Sequence, residues 1–397
     1  MSAAYYESVQ DALRAVGLCE PLVVIDKARL DANIKALRKI LPRGMAYRIV
    51  AKSLPCVPLL AHIAKQTKTD RLMSFNATMV GQLLDAMPAC DQLLGKPVAA
   101  AGLASFLKSL SAEQKKNLAQ VQWLVDTPAR LADYAALAKE HRLALRVNLE
   151  IDIGLHRGGM APGDALQAAL DMLADDKYLT LSGMMGYEPH LTKIPKLGGW
   201  RKRAQKGAAD IYAAALAQAR DRYGAAYVKN MVRNTAGSPT FGLYKDTQMA
   251  NELAAGSALV KPSDFDIPIL KDFQAAAFIA TPALKVSDGV RLPALEYAHG
   301  LLGKPQSGKS LFIHGGYWMA QAVHPKGLKT SSMFGRSSNQ ELLVAPMRTK
   351  LAVDDFVFLR PTQSEAVFLQ FPKIAVFEGT GKRARISDIW TPMPVSA

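Results

Sequence analysis

The chain has 397 residues, of which 49% are hydrophobic and 21% are charged, and its formal net charge is +15. This length allows two or three domains with a large buried core, and the composition is ordinary for a soluble globular protein. No apolar run is long enough to span a bilayer, and Glu7 and Asp11 interrupt the amino terminus where a signal peptide would be apolar. We therefore expect a cytoplasmic protein. The three cysteines are widely spaced, which argues against a disulfide framework and against a thiolate zinc site.

The positive charge does not by itself indicate a nucleic-acid partner. The basic residues are scattered, and the one dense cluster, residues 193–206, lacks zinc-finger spacing and any RNA-binding signature. We interpret this cluster as a solvated loop and helix start, with a patch that attracts anionic small molecules as the alternative. No nucleic-acid or membrane partner is expected.

From residue 20 to about residue 248, short β-rich runs alternate with amphipathic helical stretches. The run PLVVID is predicted to be a strand, and KARLDANIKALRKIL after it has apolar residues spaced for one helical face. AYRIVAK and PCVPLLAHIAKQT repeat the pattern, and the later strand candidates are RLMSF, LLGKPVAAA, VQWLVD, LALRVNLEID, TLSGMMGY and VKNMVRNT. About eight strand-helix units predict a parallel (β/α)8 barrel over residues 20–248, with a doubly wound parallel sheet as the alternative.

After about residue 250 the long helical periods disappear. Short strand-like runs replace them, punctuated by Gly, Pro and Asp: FQAAAFIATPALKVS, SLFIHGG, QELLVAP, DFVFLRP and AVFLQFPKIAVFEG. This pattern predicts a β-rich C-terminal domain over residues 249–397, with residues 1–19 packed on it.

One segment of this second region, GKPQSGKS at residues 303–310, fits the phosphate-loop pattern of nucleotide-hydrolysing enzymes. A working phosphate loop lies between a buried strand and a helix whose first N–H groups face the phosphates. Here the residues that follow, LFIHGGYW, are typical of a strand. We therefore interpret the segment as a polar hairpin connection.

Three strand ends in the predicted barrel carry residues suited to chemistry. Lys52 ends the strand AYRIVAK, which would direct its amine into the mouth of the barrel, where apolar neighbours could ready it for a Schiff base with a carbonyl group. The alternative is a solvent-facing lysine that only ends the strand. A buried strand runs directly into the ionisable cluster of NLEIDIGLHRGGM, which includes His156 and Arg157, and packing gives no reason for such a cluster. The third strand end, GMMGYEPHL, presents Tyr187, Glu188 and His190; the alternative there is a tyrosine corner and a surface histidine.

A fourth segment, RNTAGSPTFG at residues 233–242, follows a late barrel strand. Its Gly, Ser and Thr residues offer backbone N–H groups and hydroxyls without obstruction by large side chains. The last loops of a βα-barrel commonly hold phosphate groups. This segment is therefore a candidate phosphate site.

Taken together, these segments resemble the fold-type III family of pyridoxal-phosphate (PLP) enzymes, the alanine-racemase-like barrels. They are most similar to the branch of D-threonine aldolases and eukaryotic-type D-serine dehydratases, and the resemblance covers nearly the whole chain. RIVAK, EIDIGLHRGGM, GYEPH, NTAGSPTF and NELAAGS resemble family segments in the family's order, with Pro189 in GYEPH replacing a glycine.

The resemblance implies a role for each matching residue. Lys52 would hold PLP as a covalent aldimine, and Arg48 falls where the family has an arginine four residues before that lysine. Arg157 would approach the phenolic oxygen of the PLP ring. Gly237, Ser238 and Thr240 would bind the cofactor phosphate. The further candidate cofactor contacts are Tyr187, Asn234 and Thr235, and the candidate catalytic residues are Lys52, His190 and Tyr187.

The chain departs from the metal-dependent members of this branch near its C-terminus. Those members have P-x-H-x-C or P-x-H-x-D, which supplies two ligands to a divalent ion. This chain has RPTQSEA, with Gln363 at the histidine position and Glu365 at the next ligand position. Glutamine is a poor ligand for zinc or manganese, although Glu365 could serve a hard cation. A divalent metal is therefore doubtful.

The resemblance implies a PLP-dependent lyase that cleaves the Cα–Cβ bond of a D-β-hydroxy amino acid. The alternatives within the family are a D-serine or 3-hydroxyaspartate dehydratase and an amino-acid racemase. A PLP-binding protein without turnover is a further alternative, but the large second domain counts against it. Relatives pair so that the second domain of one subunit covers the barrel of another, so a homodimer is expected.

Overall fold

The structure is a computed structural model that describes residues 1–195, 197–289, 308–332 and 334–394. The chain forms two compact units. One contains Met1–Asn33, Leu259–Asp266 and Phe273–Pro392, and the other contains Ile34–Ala258, Ile267–Asp272 and Met393–Ala397.

Eight parallel strands of the second unit close into a barrel, which confirms the predicted barrel. They are β2 (Ala46–Val50), β3 (Arg71–Ser74), β4 (Asp91–Leu94), β5 (Val121–Val125), β6 (Leu145–Ile151), β7 (Leu179–Gly186), β8 (Val232–Thr235) and β9 (Glu252–Ala255). The ring closes where β2 pairs in parallel with both β3 and β9. Most residues of these strands are buried, as expected for a parallel sheet covered by helices.

The helices alternate with the barrel strands as the periodicity predicts. They are α2 (Lys27–Ile40), α3 (Val57–Thr67), α4 (Ala77–Ala86), α5 (Ala100–Ser109), α6 (Ala112–Asn117), α7 (Pro128–His141), α8 (Asp164–Asp175), α9 (Trp200–Tyr223) and α10 (Ala225–Asn230). Proline in the first turn helps to begin α3 and α7. Two strand predictions are too long. The first residues of VKNMVRNT belong to α10, and only the last four form β8. Only the first two residues of LLGKPVAAA lie in β4, and its last two begin α5.

The first unit is built on a sheet of nine strands among the described residues. The strands are β1 (Leu22–Asp26), β10 (Ala277–Asp288), β11 (Lys309–Ile313), β12 (Ala320–His324), β13 (Lys329–Thr330), β14 (Leu342–Ala345), β15 (Phe356–Pro361), β16 (Ile374–Glu378) and β17 (Arg385–Trp390). The strand β1, which opens the predicted series of barrel units, pairs instead with β10 and β16 of this sheet. The run AVFLQFPKIAVFEG divides into a short helix, α11 (Glu365–Phe368), and β16.

The first helix, α1 (Ala3–Ala15), buries its apolar face in the core of this β-rich unit. Tyr6, Val9 and Leu13 belong to one buried cluster with Phe278 of β10 and Phe358 of β15. The amino-terminal helix therefore contributes to the same core as strands that lie more than two hundred residues later in the chain.

The phosphate-loop lookalike ends at the start of a strand. Lys309 and Ser310 are the first two residues of β11, which pairs antiparallel with β10, and residues 303–307 lie outside the described residues. The N–H of Gly289 donates to the carbonyl of Gly308 between these two strands. Because a strand follows the pattern in place of a helix, no helix N-terminus is available to bind a nucleotide phosphate.

Among the helices that the structure describes, none has the length and apolarity needed to cross a membrane.

Candidate active site

Lys52 lies directly after the first barrel strand. β2 ends at Val50, and Lys52 is the middle residue of the short turn Ala51–Ser53. The side chain is half-buried, and its Nζ lies 4.8 Å from the centre of the Phe75 ring, which follows β3. The lysine is therefore at the carboxyl end of the barrel strands, where active sites of βα-barrels form.

The loops after the last two barrel strands are joined by one serine. The Oγ of Ser238 accepts the N–H groups of Gly256 at 3.2 Å and of Ala258 at 3.0 Å. The loop after β8 and the loop after β9 thus form a single unit, at the position where many βα-barrels bind phosphate. No hydrogen bond among the described residues uses the N–H of Ser238, so this donor remains available for a ligand.

The second of these loops is held close to Lys52. Ser257 donates its hydroxyl to the Oγ of Ser53 at 2.9 Å. A Cβ at Gly256 would come within 2.6 Å of the Val50 carbonyl, so only glycine permits this approach. Gly256 and Ser257 are not among the site residues that the motifs predict. A Gly-Ser pair directly after a strand was the available signal.

The loop at residues 236–240 folds into a tight turn against Tyr187. Ala236 has a φ of +72°, which is a strained conformation for a residue other than glycine. Gly237 donates its N–H to the Oγ1 of Thr240 at 3.1 Å. A Cβ at Gly237 would lie 2.7 Å from the ring of Tyr187, so the glycine allows the ring to pack on the loop.

The predicted cluster after β6 forms a closed loop. Asp152 accepts the N–H groups of Gly154 and His156 at its Oδ1, and its Oδ2 lies 2.9 Å from the Nδ1 of His156. The next residue, Arg157, places its guanidinium 5.2 Å from the centre of the Tyr187 ring, within the range of a cation-π contact. Arg157 and Tyr187, predicted from separate motifs, are thus brought together.

Burial shifts the pKa values of three groups at this end of the barrel, Glu150, Glu188 and His190. Burial raises the pKa of Glu150, and the opposing charge of Arg157 does not cancel the effect. Burial raises the pKa of Glu188 to about 7. Burial also lowers the pKa of His190, and the charge of His156 lowers it further. The Nδ1 of His190 is buried without a hydrogen-bond partner, and its Nε2 faces Gly154, 3.6 Å from where a Cβ would stand.

The structure does not support the cofactor contact predicted for Arg48. Its side chain is fully buried, and its five N–H donors are used by two carboxylates and two carbonyls. The carboxylates belong to Asp91 and Glu252, the first residues of β4 and β9, so the guanidinium lies towards the amino ends of the strands. Asn234 is drawn into the same network, since its Nδ2 donates to Glu252 at 2.8 Å. The sequence motif placed both residues correctly along the strand but could not show which end of the barrel their side chains reach.

The two residues at the family's metal-ligand positions lie in the β-rich unit. Gln363 donates to the carboxylate of Asp264 at 3.2 Å, and the carboxylate of Glu365 accepts from Ser364 at 3.4 Å. In the part of the chain that the structure describes, no group of three or more His, Cys, Asp or Glu side chains is arranged to hold a metal ion. Gln363 and Glu365 are therefore not part of such a group among the described residues.

Comparison with known protein families identifies the barrel. The family described as alanine racemase, N-terminal domain, matches residues 25–264. The chain belongs to this family. Its members include PLP-dependent enzymes of fold type III, which confirms the family predicted from the motifs. A search of curated protein sequences finds no match.

Similar solved structures extend the likeness to both units of the chain. D-threonine aldolase from Filomicrobium marinum is 16% identical with a TM-score of 0.71, covering 94% of each chain. Alanine racemase of Clostridium difficile 630 is 15% identical with a TM-score of 0.70, covering 93% of this chain and 98% of that chain. D-threo-3-hydroxyaspartate dehydratase from Delftia sp. HT23 is 17% identical with a TM-score of 0.71, covering 95% and 97%. At these identities the likeness establishes the fold, and three different activities share it.

Proposed function

We propose that the protein is a PLP-dependent lyase that cleaves the Cα–Cβ bond of a D-configured β-hydroxy amino acid. Its family includes PLP enzymes, and a D-threonine aldolase is among its structural neighbours. Bound PLP supplies an electron sink for the electron pair left at the substrate α-carbon. The side chains at the carboxyl end of the barrel strands would bind the cofactor and move the proton.

The loops after β8 and β9 fit the phosphate of PLP. Gly237 and Gly256 both lie where a Cβ would collide with a neighbour, so backbone can approach a ligand closely. The free N–H of Ser238 and the hydroxyl of Thr240 would then be donors to phosphate oxygens. Lys52, tied through Ser53 to the second of these loops, would hold the cofactor aldehyde, and Arg157 would face the ring oxygen.

The observation that favours bond cleavage at Cβ is the environment of His190. Burial keeps this imidazole neutral at physiological pH, which makes it a proton acceptor. Cleavage of Cα–Cβ begins when a base removes the proton of the β-hydroxyl, and the carbonyl of the released aldehyde forms as that bond breaks. A dehydratase must instead assist the departure of hydroxide with an acid, for which a neutral imidazole is less suited. Tyr187, held by Arg157 and Gly237, lies beside the same cofactor site and remains the second candidate.

A substrate panel tests this proposal. The protein, reconstituted with PLP, is incubated with D-threonine, D-phenylserine, D-serine, D-3-hydroxyaspartate and D-alanine. We expect glycine and an aldehyde from the first two amino acids. Ammonia with a keto acid would indicate the dehydratase alternative, and the L-enantiomer of alanine would indicate the racemase. If PLP-loaded protein converts none of these amino acids, the proposal of a lyase is wrong.

Cofactor attachment is tested separately from turnover. Borohydride reduction followed by peptide mapping should locate PLP on Lys52, and Lys52→Ala should lose the trapped cofactor together with the visible absorbance. Lys65→Ala is the matched control, because Lys65 is exposed on the nearby helix α3. Wild-type protein that traps no PLP, or traps it equally in Lys52→Ala, would refute the assignment.

A further inference from the structure

Glu188 is a buried carboxyl group on the underside of the proposed phosphate loop. It follows Tyr187 at the end of β7 and is 1% exposed. Its Oε2 accepts the N–H of Ala236 at 3.3 Å, and Ala236 is the strained residue that opens the loop. Its Oε1 is buried and makes no well-formed hydrogen bond. The carboxyl is therefore attached to the loop by one oxygen and incompletely satisfied at the other.

The groups that face this carboxyl do not neutralise a negative charge. The hydroxyls of Thr240 and Tyr244 lie beside the Glu188 carboxyl. The Tyr212 phenol of α9 is close enough for the charge of Glu188 to affect its pKa. Burial raises the pKa of both phenols above their ordinary range, so both are neutral at physiological pH. Tyr212 also directs its hydroxyl to the carbonyl of Met184, at 2.8 Å. Only neutral dipoles would therefore stabilise a negative charge on Glu188, and an unpaired charge in a buried site costs free energy.

A phosphate on this loop would make that charge still more costly. The phosphate of PLP carries close to two negative charges at neutral pH, since its second pKa is about 6. Two like charges held by one short loop repel, and the group that can take a proton does so. This step rests on the proposed function, which assigns the phosphate to residues 236–240 and the loop after β9.

We propose that Glu188 is a positioning residue of the cofactor-phosphate site and that it takes up a proton when the phosphate binds. The neutral carboxyl still accepts the N–H of Ala236 and so keeps the loop in its strained conformation. It also gains an O–H donor at the otherwise unsatisfied Oε1, with the oxygen of Thr240 or Tyr244 as acceptor. Glu188 acts through the loop and does not touch the reacting atoms.

The proposal predicts a specific pH dependence of cofactor affinity. Without phosphate, the pKa of Glu188 is about 7. Below that pH the carboxyl is already protonated, and binding takes up no further proton there. Above it, each binding event must protonate Glu188, so the affinity for PLP falls by up to about tenfold per pH unit until the raised pKa of the bound state is reached.

The test compares the dissociation constant of PLP for wild type and Glu188→Gln across this pH range. Glutamine keeps an acceptor for the Ala236 N–H but cannot titrate. Attachment to Lys52 and ionisation of the phosphate contribute equally in both proteins, so the ratio of the two constants isolates Glu188. We expect the two proteins to bind PLP with similar affinity at about pH 6. By about pH 8, the wild type should bind PLP roughly ten times more weakly than the variant. A purely structural role would change the affinity of the variant by the same factor at every pH.

Calorimetry on the wild type alone provides a second measurement, useful if Glu188→Gln does not fold. Titrations in buffers of different ionisation enthalpy count the protons taken up, and pyridoxal, which lacks the phosphate, is the control ligand. At pH above 7, PLP should take up as much as one proton more than pyridoxal, after correction for the ionisation of free PLP. Parallel pH profiles, or equal proton counts for the two ligands, would overturn the role of Glu188 and leave the lyase proposal standing. Absence of PLP binding at every pH would overturn both.

Discussion

Both ends of the barrel contain buried ionisable groups, but in opposite arrangements. Towards the amino ends of the strands, Arg48 is paired with Asp91 and Glu252, at 2.6 Å in both cases. Burial alone would raise the pKa of these two carboxyls, but the neighbouring arginines outweigh it and lower both values. At the carboxyl ends, burial dominates, raising the pKa of Glu188 and lowering that of His190.

This contrast separates a charge-paired network from the proposed active site. In the first network every charge has a partner of opposite sign, with Arg71 and Arg146 completing the set. Such a network specifies how the strands meet but leaves no group free to exchange a proton at physiological pH. At the carboxyl ends, the Oε1 of Glu188 and the Nδ1 of His190 are buried without a hydrogen-bond partner, and burial shifts the pKa of both groups towards the neutral form. Perturbed groups of this kind are typical of functional sites. Burial alone therefore does not distinguish the two ends, whereas charge pairing does.

The largest expected effect is on stability and comes from the paired end. Arg48→Met would leave Glu252 and Asp91 buried with fewer partners, and breaking a buried ion pair from one side costs about 3–5 kcal/mol. Urea denaturation of the cofactor-free protein measures this loss. Arg222→Met is the matched control, because Arg222 pairs with Asp171 and Asp175 on the barrel surface, where ion pairs are worth about 0–1 kcal/mol. Equal losses of stability in the two variants would show that the buried ion pairs of Arg48 stabilise the fold no more than the surface pairs of Arg222.

The next effect is a pH-dependent stability difference at the unpaired end. The folded pKa of Glu188 is raised from 4.5 to about 7, so its contribution to stability is fully present below pH 4.5 and is lost as pH rises to about 7. Relative to Glu188→Gln, cofactor-free wild type should therefore lose about 3 kcal/mol over this interval. The pKa values of Asp91 and Glu252 are lowered, so their effect on stability changes with pH in the opposite direction. Their contribution to stability is lost only as the solution becomes strongly acidic. Denaturation curves of both proteins from pH 4.5 to pH 8 measure the difference, and a constant difference would show that Glu188 titrates normally.

A smaller effect concerns the packing of the proposed phosphate loop. Gly237→Ala places a Cβ 2.7 Å from the Tyr187 ring, which must move away from the loop and from Arg157. Overpacking of this kind costs about 1–3 kcal/mol, so PLP affinity should fall by about tenfold or more. Gly207→Ala in α9 is the control: nothing lies within 4 Å of its Cβ, and alanine favours the helix by up to about 1 kcal/mol. Unchanged PLP binding in Gly237→Ala would mean that the cofactor does not lie on this loop.

Much of the fold follows from local sequence patterns. Helical periods predict the positions of α2, α3, α7, α8 and α9, because an amphipathic stretch buries the same face in any tertiary setting. The positions of the candidate site residues also follow from a local pattern, because Lys52, Arg157 and Tyr187 all follow barrel strands in the structure. Strand pairing depends on residues that are distant in the chain. The local pattern therefore predicts β1 as a barrel strand, although it pairs with β10 and β16 of the other sheet.

The sequence by itself determined the class of protein: an alternating barrel, a β-rich second unit and a set of strand-end motifs whose order matches one family. Only the tertiary structure decided which side chains meet. It placed Arg48 and Asn234 in one hydrogen-bonded network around Glu252. It placed the Glu188 carboxyl against the backbone of Ala236, in the loop proposed to bind phosphate. The physical reason is that a motif specifies where a residue stands along a strand. Its partners, and therefore its charge state, depend on strands that are distant in the chain and become neighbours only when the barrel closes.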